Sequence, residues 1–428
     1  MHVEKKQLSE TKVQLNIESD PDTLTKIKKE VLEELNRTQV KLQGFRKGKA
    51  PLALVEKQLD PSVLQSEFLD KVIGKIYMDA LIETKTRPVE HPHVTIKKFV
   101  PFTTLEIEAT VESIGDVTLP DYKKMKLARS TVKITDSDVQ DVVESLRIRA
   151  ATRKEVKRVA AINDEVLIDF EGTDAKTKEP IQGADGKAYP LILGSNAFIP
   201  GFEDNVIGMK AGEEKSFVIT FPKDYGVAEL QNKKVNFKTT AATVSEMVKP
   251  EITDAFAATV GPFKTVDDLK ADVKKQLGVE RQQQAERAYE NELIDKIAEE
   301  SQVALPKTLV DEEIERIISE ERQNAVYRGQ TWNEYLDGQG VKEDVYQELK
   351  RPIAEKRVKA SLMLSAVAEK ENIDVTKDEL EIRLQLLKGQ YTDKAMQDEL
   401  NKPENRREIV SRLVTEKTVN KLKEYASN

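Results

Sequence analysis

Apolar residues recur at every second position in some segments of this chain and at every third or fourth position in others. The first spacing is typical of a β-strand and the second of a helix, so each spacing restricts the structure that its segment can adopt. Near the N-terminus, Val13, Leu15 and Ile17 alternate with polar residues, which predicts a half-buried β-strand. Asp20 and the proline that follows it then supply a helix cap and a residue suited to the first helical turn. A helix is therefore expected to begin here, and its apolar face ends near Leu42.

A second helical stretch is expected from Pro51, with apolar residues at helical spacing as far as Ile76. Beyond Pro101 the alternation returns, because the apolar residues from Leu105 to Val111 are separated by polar ones, mostly glutamate. This pattern predicts an antiparallel strand with one face in solvent. Residues 1–115 therefore predict a small α+β domain.

The middle of the chain has a different texture. Residues 116–161 are charged and poor in aromatic residues, and we interpret them as a connector belonging with the helical part of the protein, with a helix over residues 136–154. Residues 162–247 are rich in Gly, Phe and Pro, and turn signals at residues 184–186 and 211–212 separate short β-like runs. These runs are VLIDF (166–170), YPLIL (189–193), KSFVITF (215–221) and KVNFKTTAATV (234–244). Residues 162–247 therefore predict a compact, mostly antiparallel β domain.

The last region, residues 248–428, has helical spacing almost throughout. Thr376 with Glu379 predicts a capping box at one helix start. The residues expected to divide the region into helical arms are Gly338, Gly340, Pro352 and Gly389. The whole chain therefore predicts a multidomain α+β protein that ends in an all-helical domain with arms.

Several kinds of chemistry are excluded by the residues that the chain lacks. With no cysteine, it has no disulfide, no thiol nucleophile and no Cys-ligated zinc. The three histidines are His2, His91 and His93, and we interpret the last two as a surface turn made rigid by Pro92 rather than as a metal site. Neither a glycine-rich phosphate loop nor a serine nucleophile elbow occurs. Any enzymatic activity is therefore expected to need no metal, cofactor or covalent step.

Charge and hydropathy restrict the partners. The formal net charge of −8 argues against a surface that coats DNA or a membrane through a general basic face. The N-terminal residues MHVEKKQLSE lack an apolar core of the kind found in secretory signals, and no apolar run approaches the ~20 residues that a bilayer requires. We therefore expect a cytoplasmic protein with no membrane or DNA partner.

A basic loop is the exception to this acidic balance. The segment QGFRKGKAP, residues 43–51, places Phe45 among Arg46, Lys47 and Lys49. Six cations and one acid between residues 37 and 57 give a local charge of +5. An aromatic residue among cations indicates a contact surface for an anionic partner that also offers an apolar crevice. A solvated basic turn would explain the cations and would leave Phe45 unexplained.

Residues 193–226, LGSNAFIPGFEDNVIGMKAGEEKSFVITFPKDYG, resemble the FK506-binding class of peptidyl-prolyl isomerases. The resemblance implies an FKBP-like fold, a bent antiparallel sheet wrapped on a short helix around an aromatic pocket. It places the following residues around the substrate proline: Phe170, Ile199, Phe202, Tyr225 and Phe237. Leu191 and Ile207 would support them, and Phe202 and Tyr225 are expected on exposed loops beside Gly and Pro. The alternative that this cluster is only the core of a β domain remains open.

One feature departs from that family. Where its members usually show an aromatic residue followed by an acid, this chain has Ile181 and Gln182. Because the resemblance implies that this acid orients the substrate carbonyl, we expect isomerisation of low efficiency.

Together with the helical C-terminal region, GFRKGKAP and the isomerase-like segment resemble, from end to end, the trigger factor family of bacterial ribosome-associated chaperones. The resemblance implies an elongated, ATP-independent chaperone that holds nascent chains open, together with a homodimer away from the ribosome. The loop would dock at the exit site of the large ribosomal subunit, against a ribosomal protein and rRNA. The docking residues would be Gly44, Phe45, Arg46, Lys47, Gly48, Lys49 and Pro51.

The helical arms would form a cradle for unfolded polypeptides. Candidate contacts are Met363, Leu364, Leu386, Leu387 and Met396, which are equally consistent with ordinary helix packing.

Two other classes of protein remain open. A dedicated prolyl isomerase would need only residues 162–247, and an RNA-binding or ribosome-assembly factor would use the basic loop as its main site.

Overall fold

The computed structural model describes residues 1–223, 225, 230–390 and 393–427, without the side chain of Gln182. The chain forms two compact units. The first comprises Met1–Leu127, Glu290–Asn324 and Gln347–Asn428, and the second comprises Ala128–Tyr289 and Ala325–Tyr346. The described residues form helices and two antiparallel sheets, one in each unit.

The N-terminal sheet packs against three helices. Its strands are β1 (His2–Ser9), β2 (Lys12–Ser19), β3 (Arg87–Pro88), β4 (His93–Val100) and β5 (Thr104–Ile114), in the order β1-β2-β5-β3 with β4 also paired to β5. The helices are α1 (Pro21–Thr38), α2 (Leu52–Gln58) and α3 (Pro61–Glu83). Leu15 of β2 pairs with Ala109 of β5, and both are fully buried. The predicted alternation therefore forms the sheet face that covers the core.

The expected elements of this domain are present with two differences. Asp20 caps α1 by accepting from the Thr23 amide at 2.8 Å, as predicted, but α1 ends at Thr38, before Leu42. The stretch after Pro51 is two helices, because Pro61 begins α3 with Asp60 as its cap. Strands β1 and β4 were not predicted, because they lie mostly exposed and their few apolar residues do not keep a period of two along the strand. In β4, an irregularity between Ile96 and Lys98 shifts the register.

The β domain of the second unit contains all four predicted runs. Its elements are β6 (Thr152–Glu155), β7 (Asp164–Asp174), β8 (Pro180–Ile192), the short helix α5 (Phe202–Val206), β9 (Glu214–Thr220) and β10 (Lys234–Val248). The sheet order is β6-β10-β7-β8, with β9 also paired to β10. The turn expected at residues 184–186 is wrong, since these residues lie inside β8 and Gly186 pairs with Phe170. Glycine serves there as a place where a ring approaches the backbone closely.

The helix expected over residues 136–154 is shorter than predicted. It is α4 (Asp136–Arg149), and residues 152–155 form β6 instead. Val139 and Val143 of α4 pack in a small core with residues of α6 (Asp254–Val260) and of α7 (Val266–Glu300). Arg281 of α7 donates to Asp138 at 2.7 Å, which holds the first turn of α4 in place.

The remaining helices are α8 (Lys307–Tyr327), α9 (Trp332–Gln339), α10 (Glu343–Lys370), α11 (Lys377–Lys388), α12 (Lys394–Glu399) and α13 (Pro403–Ser427). Thr376 and Glu379 form the predicted capping box of α11. Gly340 and Gly389 end helices as expected, whereas Pro352 lies inside α10 and Gly338 inside α9. Buried packing of α10 thus outweighs the one backbone hydrogen bond that proline removes. Across the described residues, no helix has the length and apolar character of a membrane span.

A carboxylate at the end of α10 joins three segments of the first unit. Glu371 accepts from the hydroxyls of Tyr122 at 2.6 Å and Tyr425 at 2.8 Å, and pairs with the Lys123 ammonium at 2.8 Å. Its side chain is only 11% exposed. The ammonium of Lys123 and the two hydroxyls lower the pKa of Glu371 to about 2. This cluster therefore ties residues 122–123 and α13 to the end of α10.

We expect Glu371→Gln to lower the free energy of unfolding by about 1–3 kcal/mol at pH 7, because bonds to a charged acceptor are stronger than bonds to an amide. Since folding lowers the pKa of Glu371 from 4.5 to about 2, its contribution is complete above pH 4.5 and disappears as the pH falls through 2. Urea unfolding, followed by circular dichroism at several pH values, measures the free energy of unfolding of the wild type and of the variant. A difference between the wild type and the variant that stayed constant from pH 7 to pH 2 would contradict this assignment.

Candidate functional site

The β domain contains an apolar cavity of about 440 Å³. Its described lining residues are Phe170, Gly183, Ala184, Tyr189, Ala197, Phe198, Ile199, Pro200, Phe221, Pro222, Tyr225, Leu230 and Phe237. None of these lining residues is charged. The site is therefore suited to an apolar group.

Phe202 lies beneath the cavity, although we expected it on an exposed loop. It is the first residue of α5 and is completely buried. Its ring centroid lies 4.4 Å from that of Phe198, 5.2 Å from Phe237 and 5.9 Å from Phe170. Phe202 therefore supports the rings that form the cavity and does not itself line it.

The sheet supplies two of those rings, and glycines make room for them. Phe170 lies on β7 and Phe237 on β10. A Cβ atom at Gly186 would lie 2.7 Å from Cε1 of Phe170, and one at Gly172 would lie 3.0 Å from Cε1 of Phe237. Both distances are shorter than van der Waals contact, so a side chain at either position would displace a ring.

The rim of the cavity is built from loops and strand ends. The Tyr225 ring lies 4.7 Å from that of Phe221 and is partly exposed. Tyr189, which is 42% exposed, packs edge-on against Phe198 at 5.2 Å. Tyr189, Phe221 and Tyr225 therefore form an aromatic part of the rim.

The structure brings together most of the residues that the sequence predicted. Phe170, Ile199, Tyr225 and Phe237 line the cavity, while Leu191 and Ile207 pack in the surrounding core, as does Ile181. The side chain of Gln182 lies outside the described residues. Sequence reasoning missed Tyr189, Phe198, Phe221 and Leu230. Phe198 directly precedes Ile199, so its position beside the pocket helix was the available signal.

An uncharged cavity of this kind can favour rotation about an X–Pro bond. The rotation barrier arises from amide resonance, which places partial negative charge on the carbonyl oxygen. The twisted transition state loses that charge separation, so an enclosure that excludes water disfavours the planar ground state more than the twisted one. No proton transfer or covalent intermediate is needed.

The basic loop lies between α1 and α2, and its C-terminal end is fixed to α1. The side chain of Asn36, 4% exposed, donates from Nδ2 to the Ala50 carbonyl at 2.9 Å. Gly44 and Gly48 have φ values of 87° and 77°, which favour glycine. A Cβ atom at Gly48 would also lie 2.9 Å from Cγ of Arg37. The backbone of the loop is thus defined by helix α1 and by its glycines.

The side chains of the loop point to solvent. Phe45 is 43% exposed, and Arg46, Lys47 and Lys49 are exposed as well. None of the three cations forms an ion pair with another described residue. Pro51 is exposed at the start of α2 and accepts from the Leu54 amide at 2.9 Å. An aromatic ring and three cations are therefore available to a partner.

The candidate client contacts differ in exposure. Met363 and Leu364 are 0% and 8% exposed and pack inside the first unit. Leu387 is partly exposed, whereas Leu386 and Met396 are 64% and 46% exposed. Only the latter three can reach a client without a change in helix packing.

The sheet, its short helix and the aromatic cavity define an FKBP-type peptidyl-prolyl isomerase domain. Residues 156–243 match the family described as FKBP-type peptidyl-prolyl cis-trans isomerase. Residues 1–146 match the family described as bacterial trigger factor protein, and residues 265–424 match its C-terminus.

Relatives cover most of the chain. The trigger factor of Halothermothrix orenii is 33% identical over 392 residues, covering 90% of this chain and 89% of the relative. The trigger factor of Thermoanaerobacter sp. (strain X514) is 35% identical over 358 residues, covering 83% of this chain and 82% of the relative. The chain belongs to the trigger factor family of chaperones, with a peptidyl-prolyl isomerase domain. A solved structure described as "Promiscuous Substrate Recognition in Folding and Assembly Activities of the Trigger Factor Chaperone" aligns over 99% of both chains, with 19% identity and a TM-score of 0.46.

We expect Gly186→Ala to lower kcat/KM for an X–Pro peptide by about tenfold, because the added methyl group displaces the Phe170 ring. The free energy of unfolding should fall by about 1–3 kcal/mol. Gly74→Ala in α3 is the control, since its methyl group meets open space and should only stabilise the helix, by about 0.5–1 kcal/mol. An isomerase rate that Gly186→Ala left unchanged would show that the position of the Phe170 ring does not affect the reaction.

Proposed function

We propose that the chain docks at the nascent-chain exit of the large ribosomal subunit through the GFRKGKAP loop. There it holds emerging polypeptides open without ATP and isomerises their X–Pro bonds in the aromatic cavity. The observation that carries the docking role is an exposed Phe45 beside three unpaired cations, on a loop fixed by α1. A loop that was merely solvated would gain nothing from an exposed phenylalanine held in this way.

The loop offers two kinds of contact. Arg46, Lys47 and Lys49 can neutralise rRNA phosphates, which makes attachment dependent on salt because bound counterions are released. Phe45 can fill an apolar crevice of a ribosomal protein. The planar guanidinium of Arg46 adds a paired hydrogen-bond donor that lysine cannot reproduce. Attachment through both kinds of contact suits a partner made of RNA and protein.

The same proposal assigns roles along the chain. Residues 1–115 dock, residues 162–247 isomerise, and residues 248–428 with the connector 116–161 hold the client. Within the isomerase domain, Phe170, Ile199, Tyr225 and Phe237 contact the substrate proline, and Phe202 supports them from below. The protein acts in the cytoplasm, partly bound to ribosomes.

We expect the triple variant Phe45→Ala, Arg46→Ala, Lys47→Ala to bind 70S ribosomes more than about tenfold more weakly, since it removes the central aromatic contact and two phosphate contacts. Co-sedimentation at moderate salt measures the change. Lys26→Ala, Lys29→Ala is the matched control, because it removes two exposed cations from α1 and leaves the loop intact.

Equal pelleting of the wild type and the triple variant would show that the loop is a solvated turn. Tight binding of the wild type to naked rRNA, without ribosomal protein, would favour an RNA-binding factor instead. Pelleting by neither protein would leave isomerisation as the established activity and remove the ribosome from the proposal.

We expect Leu386→Ser, Met396→Ser to weaken suppression of client aggregation about twofold or more, because the pair offers exposed apolar surface on the helical arms. Light scattering of a denatured client diluted into each protein measures the effect. The control is Val218→Ser, which removes a similarly exposed apolar residue from β9. If the Leu386→Ser, Met396→Ser variant suppresses aggregation as well as the Val218→Ser control does, Leu386 and Met396 are not client contacts.

A further inference from the structure

We infer that Glu203 is a positioning residue for the isomerase, whose carboxylate holds the loop of residues 194–199 in the shape that forms one wall of the cavity. Glu203 follows Phe202 in the first turn of α5 and is 8% exposed. It does not line the cavity. The inference rests on the proposed use of the cavity as the site of the substrate proline.

The carboxylate is the centre of a set of hydrogen bonds from this loop. Glu203 Oε2 accepts from the Gly194 amide at 2.7 Å, and Oε1 accepts from the Ala197 amide at 2.9 Å. Longer bonds reach Oε1 from the Phe198 amide at 3.4 Å and from Ser195 Oγ at 3.3 Å. Both oxygens are therefore used, and all four donors belong to one loop.

The backbone of the loop is shaped to direct amides inward. Gly194 and Asn196 have φ values of 90° and 55°, and Gly201, at its end, has 89°. Left-handed residues between ordinary ones turn successive N–H groups toward one point and form a concave anion site. Here the anion is a side chain of the same domain, so the loop closes on its own carboxylate.

The residues that this loop positions are part of the cavity. Ala197, Phe198 and Ile199 line it. The Phe198 ring lies 5.3 Å from that of Phe170 and 5.2 Å from that of Tyr189, so it links the loop to the sheet. A shift of the loop would move the cavity wall, and small displacements of positioning groups lower rates strongly.

The geometry requires two acceptor oxygens and not merely a polar side chain. A carboxylate has two acceptor oxygens, whereas the amide of glutamine has one, together with an NH₂ group that can only donate. In Glu203→Gln, one side of the group would place N–H against N–H. A buried donor without a partner carries the full cost of its lost hydration, so the loop would open to recover it.

The test compares Glu203→Gln with Glu203→Asp and with Glu213→Gln in the full chain. Glu213 is a matched control, since its carboxylate also accepts a backbone amide, that of Lys210 at 2.9 Å, in an exposed turn before β9. For Glu203→Gln we expect kcat/KM on an X–Pro peptide to fall by about tenfold or more. The kcat/KM of Glu203→Asp, which keeps the charge on a shorter side chain, should lie between those of the wild type and Glu203→Gln. The kcat/KM of Glu213→Gln should stay within about twofold of the wild-type value.

Amide hydrogen exchange separates positioning from general stability. In Glu203→Gln the amides of Gly194, Ala197 and Phe198 should exchange at least about tenfold faster, while those of β10 keep their wild-type rates. Unchanged kcat/KM in a folded Glu203→Gln protein would overturn the inference, and so would equal acceleration across the whole domain. If Glu203→Gln does not fold, amide exchange is measured in the wild type instead. Exchange of the Gly194, Ala197 and Phe198 amides as slow as that of the β10 amides supports the inference, and exchange much faster than that of β10 overturns it.

A Phe237→Leu variant, measured beside the others, distinguishes failure of this inference from failure of the cavity assignment. If Phe237→Leu loses activity and Glu203→Gln keeps it, Glu203 has no positioning role and the cavity assignment stands. If neither variant loses activity, the cavity is not the proline site and the inference falls with it.

Discussion

A buried polar side chain on a helix, bonded to the backbone of a neighbouring loop, is the constraint on which both candidate sites depend. Asn36 of α1 holds the carbonyl of Ala50 and closes the basic loop. Glu203 of α5 holds three amides of the loop that carries Phe198. Each bond lies inside the protein, where a lost partner is costly, so the exposed groups beyond it keep one arrangement. The functional surfaces are thus ordered from within.

The two sites share this arrangement but differ in charge. The cavity gathers aromatic rings with no charge among its described lining residues. The loop presents cations around one ring in a chain whose net charge is −8. An uncharged enclosure acts through the exclusion of water, whereas exposed cations act through long-range attraction that salt weakens. Separate elements carry these properties, so neither site compromises the other.

Sequence patterns predicted the parts of the fold in which burial follows a period. The buried face of β2 and the four runs of the β domain appear as alternating or continuous apolar residues, and the pocket residues Phe170 and Phe237 lie on two of these strands. Strands β1 and β4 have no continuous face of this kind. Asn36 and Glu203 could not be found from sequence, because a buried polar residue becomes recognisable only when its distant backbone partners are known. The glycine at 186 predicts a turn by composition, and only the ring beside it explains its place in a strand.

The packing of Trp332 has a practical consequence. This indole stacks on Tyr335 of α9 at 5.3 Å and meets Tyr346 of α10 edge-on at 5.7 Å, so it lies in the contact between these two helices. It is also the single tryptophan of the chain. Intrinsic emission excited at the red edge of the absorption band therefore comes from this contact alone. The protein carries a built-in optical reporter of the contact between α9 and α10, which can follow events there without chemical labelling.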